Sequence, residues 1–149
     1  MNYKKTQPIH ILMADDDEDD RLLAQDALEE SRVLNAFQFV KDGVELLEYL
    51  RNEGEFSDTQ RYPRPNLILL DLNMPRMDGR EALQEIKKDP SLRSIPVVIL
   101  TTSKEEEDKL RGYDSGAASY ITKPVDFDGL VELMKHLGKY WIEIVELPN

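Results

Sequence analysis

The sequence predicts an α/β domain in which a doubly wound parallel sheet carries helices on both faces. Two observations lead to it. Five apolar runs of strand length alternate with five segments of helical period. Three of those runs are unbroken rather than alternating in polarity, as in strands buried on both faces. At 149 residues, with no internal repeat and no low-complexity tract, the chain is most simply one domain with a substantial core.

The first strand is "IHILMA", residues 9 to 14. The helix that follows, "EDDRLLAQDALEESR", places Leu23, Ala24, Ala27 and Leu28 on one face. "NAFQFV", 35 to 40, alternates and reads as the second strand. "DGVELLEYLRNEG" has Val44, Leu47 and Leu50 at helical spacing, with Gly54 as its stop. Residues 55 to 66 are polar with two prolines and read as a loop. A third strand covers 67 to 71, and a helix over 79 to 88 turns Ala82, Leu83 and Ile86 inward. "IPVVILT", 95 to 101, is the fourth strand; a helix around 104 to 115 and a short strand at "SYIT" follow. The last helix begins near Asp126.

Composition narrows the function. An apolar fraction of 40% and a charged fraction of 33% suit a soluble globular fold. A formal net charge of −11 repels nucleic acid and anionic membranes, so neither is an expected partner. No apolar stretch reaches the length of a membrane span, and "MNYKKTQPIH" has no signal-peptide core. With no cysteine there are no disulfides or thiolate metal sites, which fits the cytoplasm.

In such sheets functional groups gather beyond the carboxyl ends of the strands. Strand one delivers Asp15, Asp16 and Asp17; strand three delivers Asp71; strand four delivers Thr101, Thr102 and Ser103; strand five delivers Lys123. Several carboxylates cannot all ionise side by side without a cation. All-oxygen ligands favour a hard ion, Mg²⁺ or Mn²⁺. A lysine and a hydroxyl then hold the remaining oxygens of a phosphoryl group, and an aspartate aimed at that group is a nucleophile. Each residue alone has an ordinary explanation. The acidic run 15 to 20 suits a helix start, Asp17 and Asp78 suit N-caps, and Thr101 suits a strand. The conjunction of four compatible groups at four strand ends is what points to chemistry.

Through "ILMADDDEDD", "LILLDLNMPRMDG", "IPVVILTT" and "SYITKP", the chain resembles the receiver domains of two-component response regulators. The resemblance implies a flavodoxin-like sheet of order 2-1-3-4-5 over residues 9 to 138, after a tail of 1 to 8 and before an extension of 139 to 149. It implies Asp71 as phospho-acceptor, with Mg²⁺ held by Asp16 directly, by Asp15 through water, by Asp71 and by the backbone carbonyl of Asn73. Thr101 and Lys123 bind phosphoryl oxygens. Thr101 and Tyr120 form the conformational switch, and the Lys123–Pro124 peptide is cis. Asn73 and Ser103 stand where the family tunes hydrolysis; neither is an acid, so a moderately long-lived phosphoaspartate is expected. A metal-dependent phosphatase family with an aspartate nucleophile wants a second acid at Asn73 and fits less well.

The long loop 55 to 66 and the tail "KYWIEIVELPN" resemble stand-alone receivers paired with phytochrome-type histidine kinases. The expected partners are therefore such a sensor kinase and a downstream protein. The expected chemistry is self-modification and slow self-hydrolysis rather than enzymatic turnover. Too few residues follow the fifth strand for an output domain, so output is by binding. Phe127, Leu130, Val131, Met134, Leu137, Trp141 and Ile144 form an apolar stripe, widened by Leu133 and Tyr140. Its excess width predicts a homodimer through Leu133, Tyr140, Trp141 and Ile144, given a helix that runs on through Gly138. The rival reading is a pseudo-receiver, a dimeric adaptor without phosphotransfer; the intact acid pair, Thr101 and Lys123 argue against it.

Overall fold

Five parallel strands pair in the order β2-β1-β3-β4-β5. They are β1 (Ile9–Ala14), β2 (Asn35–Val40), β3 (Leu67–Asp71), β4 (Val97–Thr101) and β5 (Ser119–Thr122). The α-helices whose bounds lie within the described residues are α1 (Glu18–Glu30), α2 (Gly43–Leu50), α3 (Gly79–Lys88) and α4 (Phe127–Lys139). This is a computed structural model, and it describes residues 9–30, 35–102, 104, 109, 117, 119–124 and 126–139. The helix expected around 104 to 115 falls largely outside that set.

Strand alternation divides the core in two. Leu12, Ala14, Ile68, Leu70 and Ile99 face one side, where Leu46 and Leu47 of α2 and Ala82, Leu83 and Ile86 of α3 cover them. Ile11, Met13, Leu67, Leu69, Val98 and Leu100 face the other, under Ala24, Ala27 and Leu28 of α1 and Val131, Met134 and Leu137 of α4. Every residue of β3 and β4 is buried, which is why those strands read as unbroken apolar runs. Burying each such Leu contributes about 1.5–3 kcal/mol, and this anchors the strands whose tips form the site.

Helix starts follow the sequence signals. The Asp17 carboxylate accepts from the Asp19 N–H at 2.9 Å, and Asp78 accepts from the Glu81 N–H at 3.0 Å. Asp126 caps α4 through the Gly129 N–H at 2.7 Å. α4 runs through Gly138 to Lys139, as the tail reading required.

Five details differ from the sequence reading. Leu23 is 45% exposed rather than inward. It lies about 100° around the helix from Ala24, off the stripe that Ala24, Ala27 and Leu28 complete. On α2 the buried face is Gly43, Leu46, Leu47 and Tyr49, while Val44 and Leu50 are only half-buried. That helix ends at Leu50, because Asn52 rather than Gly54 makes the first left-handed step, at φ 53°. The polar segment 55 to 66 is an irregular connection but not merely solvated. A 3-10 turn (Gly54–Phe56) buries Phe56, which with Tyr49 and Tyr62 forms a ring cluster with centroids 5.0 to 5.6 Å apart. Lastly, the peptide between Lys123 and Pro124 is trans, not cis. The trans form is the intrinsically favoured one by about 0.5–1 kcal/mol, and Lys123 reaches the strand tips with it.

Candidate functional site at the strand tips

The register puts four chemistry-bearing residues on one rim. Asp15 is the first residue past β1, and its N–H donates to the Val40 carbonyl at 3.0 Å. Asp71 ends β3, Thr101 ends β4, and Lys123 follows β5 with its N–H donating to the Thr101 carbonyl at 2.6 Å. Asp15 and Thr101 are fully buried and Asp71 nearly so, while Asp16 is exposed.

Carboxylate oxygens of Asp15, Asp16 and Asp71 lie within 4.8 Å of one another. The Lys123 ammonium reaches Asp15 Oδ2 at 2.8 Å, Asp20 Oδ2 at 3.0 Å and Asp71 Oδ2 at 3.5 Å. The Asp15 carboxylate also accepts from the Asp17 N–H at 2.9 Å, and its carbonyl accepts from the Arg21 guanidinium at 2.7 Å. Three carboxylates thus share one ammonium, and Asp16 adds a fourth acid beside Asp15 and Asp71. The excess negative charge and the all-oxygen donor set fit a hard divalent cation among Asp15, Asp16 and Asp71.

Electrostatics agree. Burial pushes the Asp71 carboxyl up to about 6; Lys123 opposes the shift and Asp15 adds to it. Burial likewise raises Asp15, against the hydrogen bonds from Lys123 and the Asp17 N–H. Burial by itself lowers Lys123, but Asp15, Asp71 and Asp20 outweigh it and hold the ammonium well above its ordinary range. A carboxylate held at such a cost is stabilised by a cation or by covalent capture of its charge.

The loop after β3 is fastened around Asp71. The Gly79 N–H donates to the Leu72 carbonyl at 2.9 Å. A Cβ at Gly79 would sit 2.5 Å from the Asp71 carbonyl oxygen, so only glycine lets α3 start this close to the acceptor strand. The Asn73 N–H points back to Asp71 Oδ1 at 3.5 Å, and Asn73 itself is exposed. The Gly43 N–H donates to the Met77 carbonyl at 3.0 Å. Arg76, at φ 63°, forms a bidentate pair with the buried Asp42 carboxylate at 2.8 and 3.1 Å. Burial alone would raise Asp42; Arg76 and the Glu45 N–H outweigh it and hold the carboxyl below its ordinary value.

Asp15, Asp16, Asp71, Thr101 and Lys123 therefore meet at one rim, as the sequence reading required. Tyr120 lies on β5, buried in the same core cluster to which α2 and α3 contribute. Leu133 packs partly against the protein's own second core, and Phe127 is the more exposed apolar residue of α4. Ser103, Tyr140, Trp141 and Ile144 lie outside the described residues. Three participants escape sequence reasoning. Asp20 reads as a helix-start acid, yet it grips Lys123, 103 residues away in sequence. Asp42 and Arg76 carry no sequence signal for each other, although Asp42 before Gly43 is an N-cap signal on its own.

Comparison with known proteins agrees with the geometry. The response regulator receiver domain family matches residues 11–135. Response regulator Rcp1 of a Synechocystis species is 38% identical over 148 residues, 99% of each chain. The crystal structure of its Mn²⁺-bound form superposes with a TM-score of 0.80 at 39% identity, covering 95% of this chain and 100% of that one. The phosphorylated cyanobacterial phytochrome response regulator RcpA gives a TM-score of 0.84 at 42% identity, covering 96% of this chain and 100% of that one. RPA3017, a response regulator in red light signaling of R. palustris, gives a TM-score of 0.87 at 31% identity over 96% and 99% of the two chains. With a family match over most of its length and the acid cluster, threonine and lysine at the strand tips, this chain belongs to the response regulator receiver family.

Proposed function

We propose that this protein accepts a phosphoryl group from the phosphohistidine of a sensor histidine kinase onto the Asp71 carboxylate. The observation that carries the reading is the single rim where three carboxylates lie within 4.8 Å of one another and Lys123 reaches both Asp15 and Asp71. One Asp71 oxygen forms a bond to phosphorus as the bond between phosphorus and the imidazole nitrogen breaks, and the electron pair of that bond stays on the imidazole. Such transfer depends on positioning and charge neutralisation.

Asp15, Asp16, Asp71 and the backbone carbonyl of Asn73 are the groups that would hold Mg²⁺ or Mn²⁺. The bound cation supplies charge neutralisation for the phosphoryl oxygens. Lys123 contributes a second positive charge, and the Thr101 hydroxyl takes a further phosphoryl oxygen. That contact draws Thr101 toward Asp71 and, through β5, biases the packing of Tyr120. A change of this kind shifts a population only as far as the phosphoryl group binds one arrangement better than the other. Asn73 and Ser103 offer no acid to position water, which supports a phosphoaspartate of moderate lifetime.

The similarity to phytochrome response regulators supports a phytochrome-type kinase as the donor. Action in the cytoplasm, output by protein–protein contact and homodimerisation through 139 to 149 complete the proposal. Among the described residues no helix is long and apolar enough to cross a membrane.

The test is incubation with Mg²⁺ and a small-molecule acyl phosphate, followed by intact mass. Wild type should gain one phosphoryl group and Asp71→Asn none. Absence of the gain in wild type, or an equal gain in the variant, would overturn the assignment.

A further inference from the structure

The Lys123 ammonium is not shared evenly among its three carboxylate partners. Asp15 and Asp20 take it at 2.8 and 3.0 Å, whereas Asp71, the proposed acceptor, stands off at 3.5 Å. Lys123 is largely buried, its side chain 12% exposed, while Asp20 is 38% exposed at the mouth of the site. Asp20 comes from the first turn of α1, whereas Asp71 ends β3, so the ammonium is held between two different elements.

From this geometry we propose that Asp20 is a positioning residue that tethers Lys123 on the α1 side of the site and so restrains its engagement of a phosphoryl oxygen. The inference rests on Asp71 being the phospho-acceptor. Asp15 belongs to the proposed cation set and leaves the contest for the lysine when a cation binds. Asp20 is not in that set, so its claim on the ammonium persists. Its carboxylate also adds like charge near the entry of a phosphoryl anion. Removing that charge frees Lys123 to move toward Asp71; moving it one methylene further, as glutamate, keeps the tether.

A phosphoryl mimic separates binding from chemistry. Beryllofluoride with Mg²⁺, titrated by ¹⁹F NMR, should bind Asp20→Asn more tightly than wild type by about 1.4- to fivefold, the span expected for losing one partly exposed ion pair. Asp20→Glu should return the wild-type affinity. Asp19→Asn removes the same charge from the same helical turn without touching Lys123, so it should match wild type if the tether is the cause. In metal-free protein, the ¹⁵Nζ signal of Lys123 should shift in Asp20→Asn and not in Asp19→Asn, which a purely helix-stabilising role for Asp20 does not produce.

Equal or weaker beryllofluoride binding by Asp20→Asn overturns the tether, and so does an equal gain in Asp19→Asn. If wild type itself binds no beryllofluoride while folded, the phospho-acceptor reading fails first. If wild type binds and Asp20→Asn does not differ, only the tether fails.

Discussion

Replacing Asp71 with asparagine should make the metal-free protein more stable at neutral pH. The folded protein holds this carboxyl at about 6 against an ordinary value of 3.8, because burial disfavours its charge more than Lys123 favours it. Below pH about 3.8 the group is protonated in both states and costs nothing. From there to about 6 the unfolded chain gives up the proton while the folded chain keeps it, so folding stability falls as pH rises. Above about 6 the penalty is complete. Roughly two pH units at 1.36 kcal/mol each set it at about 3 kcal/mol at most. In a domain of this size that is a rise in Tm of roughly 6–12 °C for Asp71→Asn. Urea denaturation in chelator at pH 7.5 and again near pH 3.5 measures it. The variant should lead at the higher pH and lose its lead at the lower one, and Mg²⁺ should narrow the gap by stabilising wild type. Equal stabilities at pH 7.5, or a lead of the same size at both pH values, would refute the claim that buried charge on Asp71 is the cost.

Gly79→Ala should destabilise by about 1–3 kcal/mol and slow phosphorylation by a small acyl phosphate, because its Cβ would meet the Asp71 carbonyl oxygen at 2.5 Å and the Leu72 Cα at 2.9 Å. Wild-type stability and rate in that variant would show that α3 can back away freely. Arg76→Ala strips the buried Asp42 carboxylate of its bidentate partner, so stability should drop at neutral pH. Since Asp42 is held below its ordinary value, the contribution it makes with Arg76 is present above pH about 4 and lost as pH falls through the folded value. The difference between wild type and variant in a denaturation series should shrink accordingly toward low pH. Ending the chain after Lys139 should give a monomer by sizing chromatography if the extension forms the dimer; a dimer that survives truncation places the contact elsewhere.

The strand and helix pattern was legible because burial on both faces leaves a direct mark on residue type. Leu67 to Leu70 could be read as a doubly covered strand without knowing what covers it. Local caps were legible because Asp17 and Asp78 act within a few residues of themselves. The amphipathic faces were less so. Leu23 belongs to a stripe by spacing, yet a helix on a flat sheet buries a narrower arc than its apolar residues span. Phe56 and Tyr62 were hidden inside a polar, proline-bearing segment whose composition signals a loop but not what the loop covers.

The sequence by itself determined the chemistry available: which strand tip carries an acid, a hydroxyl or an amine follows from residue order and from strands that all run the same way. Only the tertiary structure decided how those groups share one another. Coulomb energy and desolvation depend on distance and burial, not on position along the chain. That Lys123 lies nearer to Asp20 than to Asp71, and that Arg76 closes over Asp42, are therefore facts of packing.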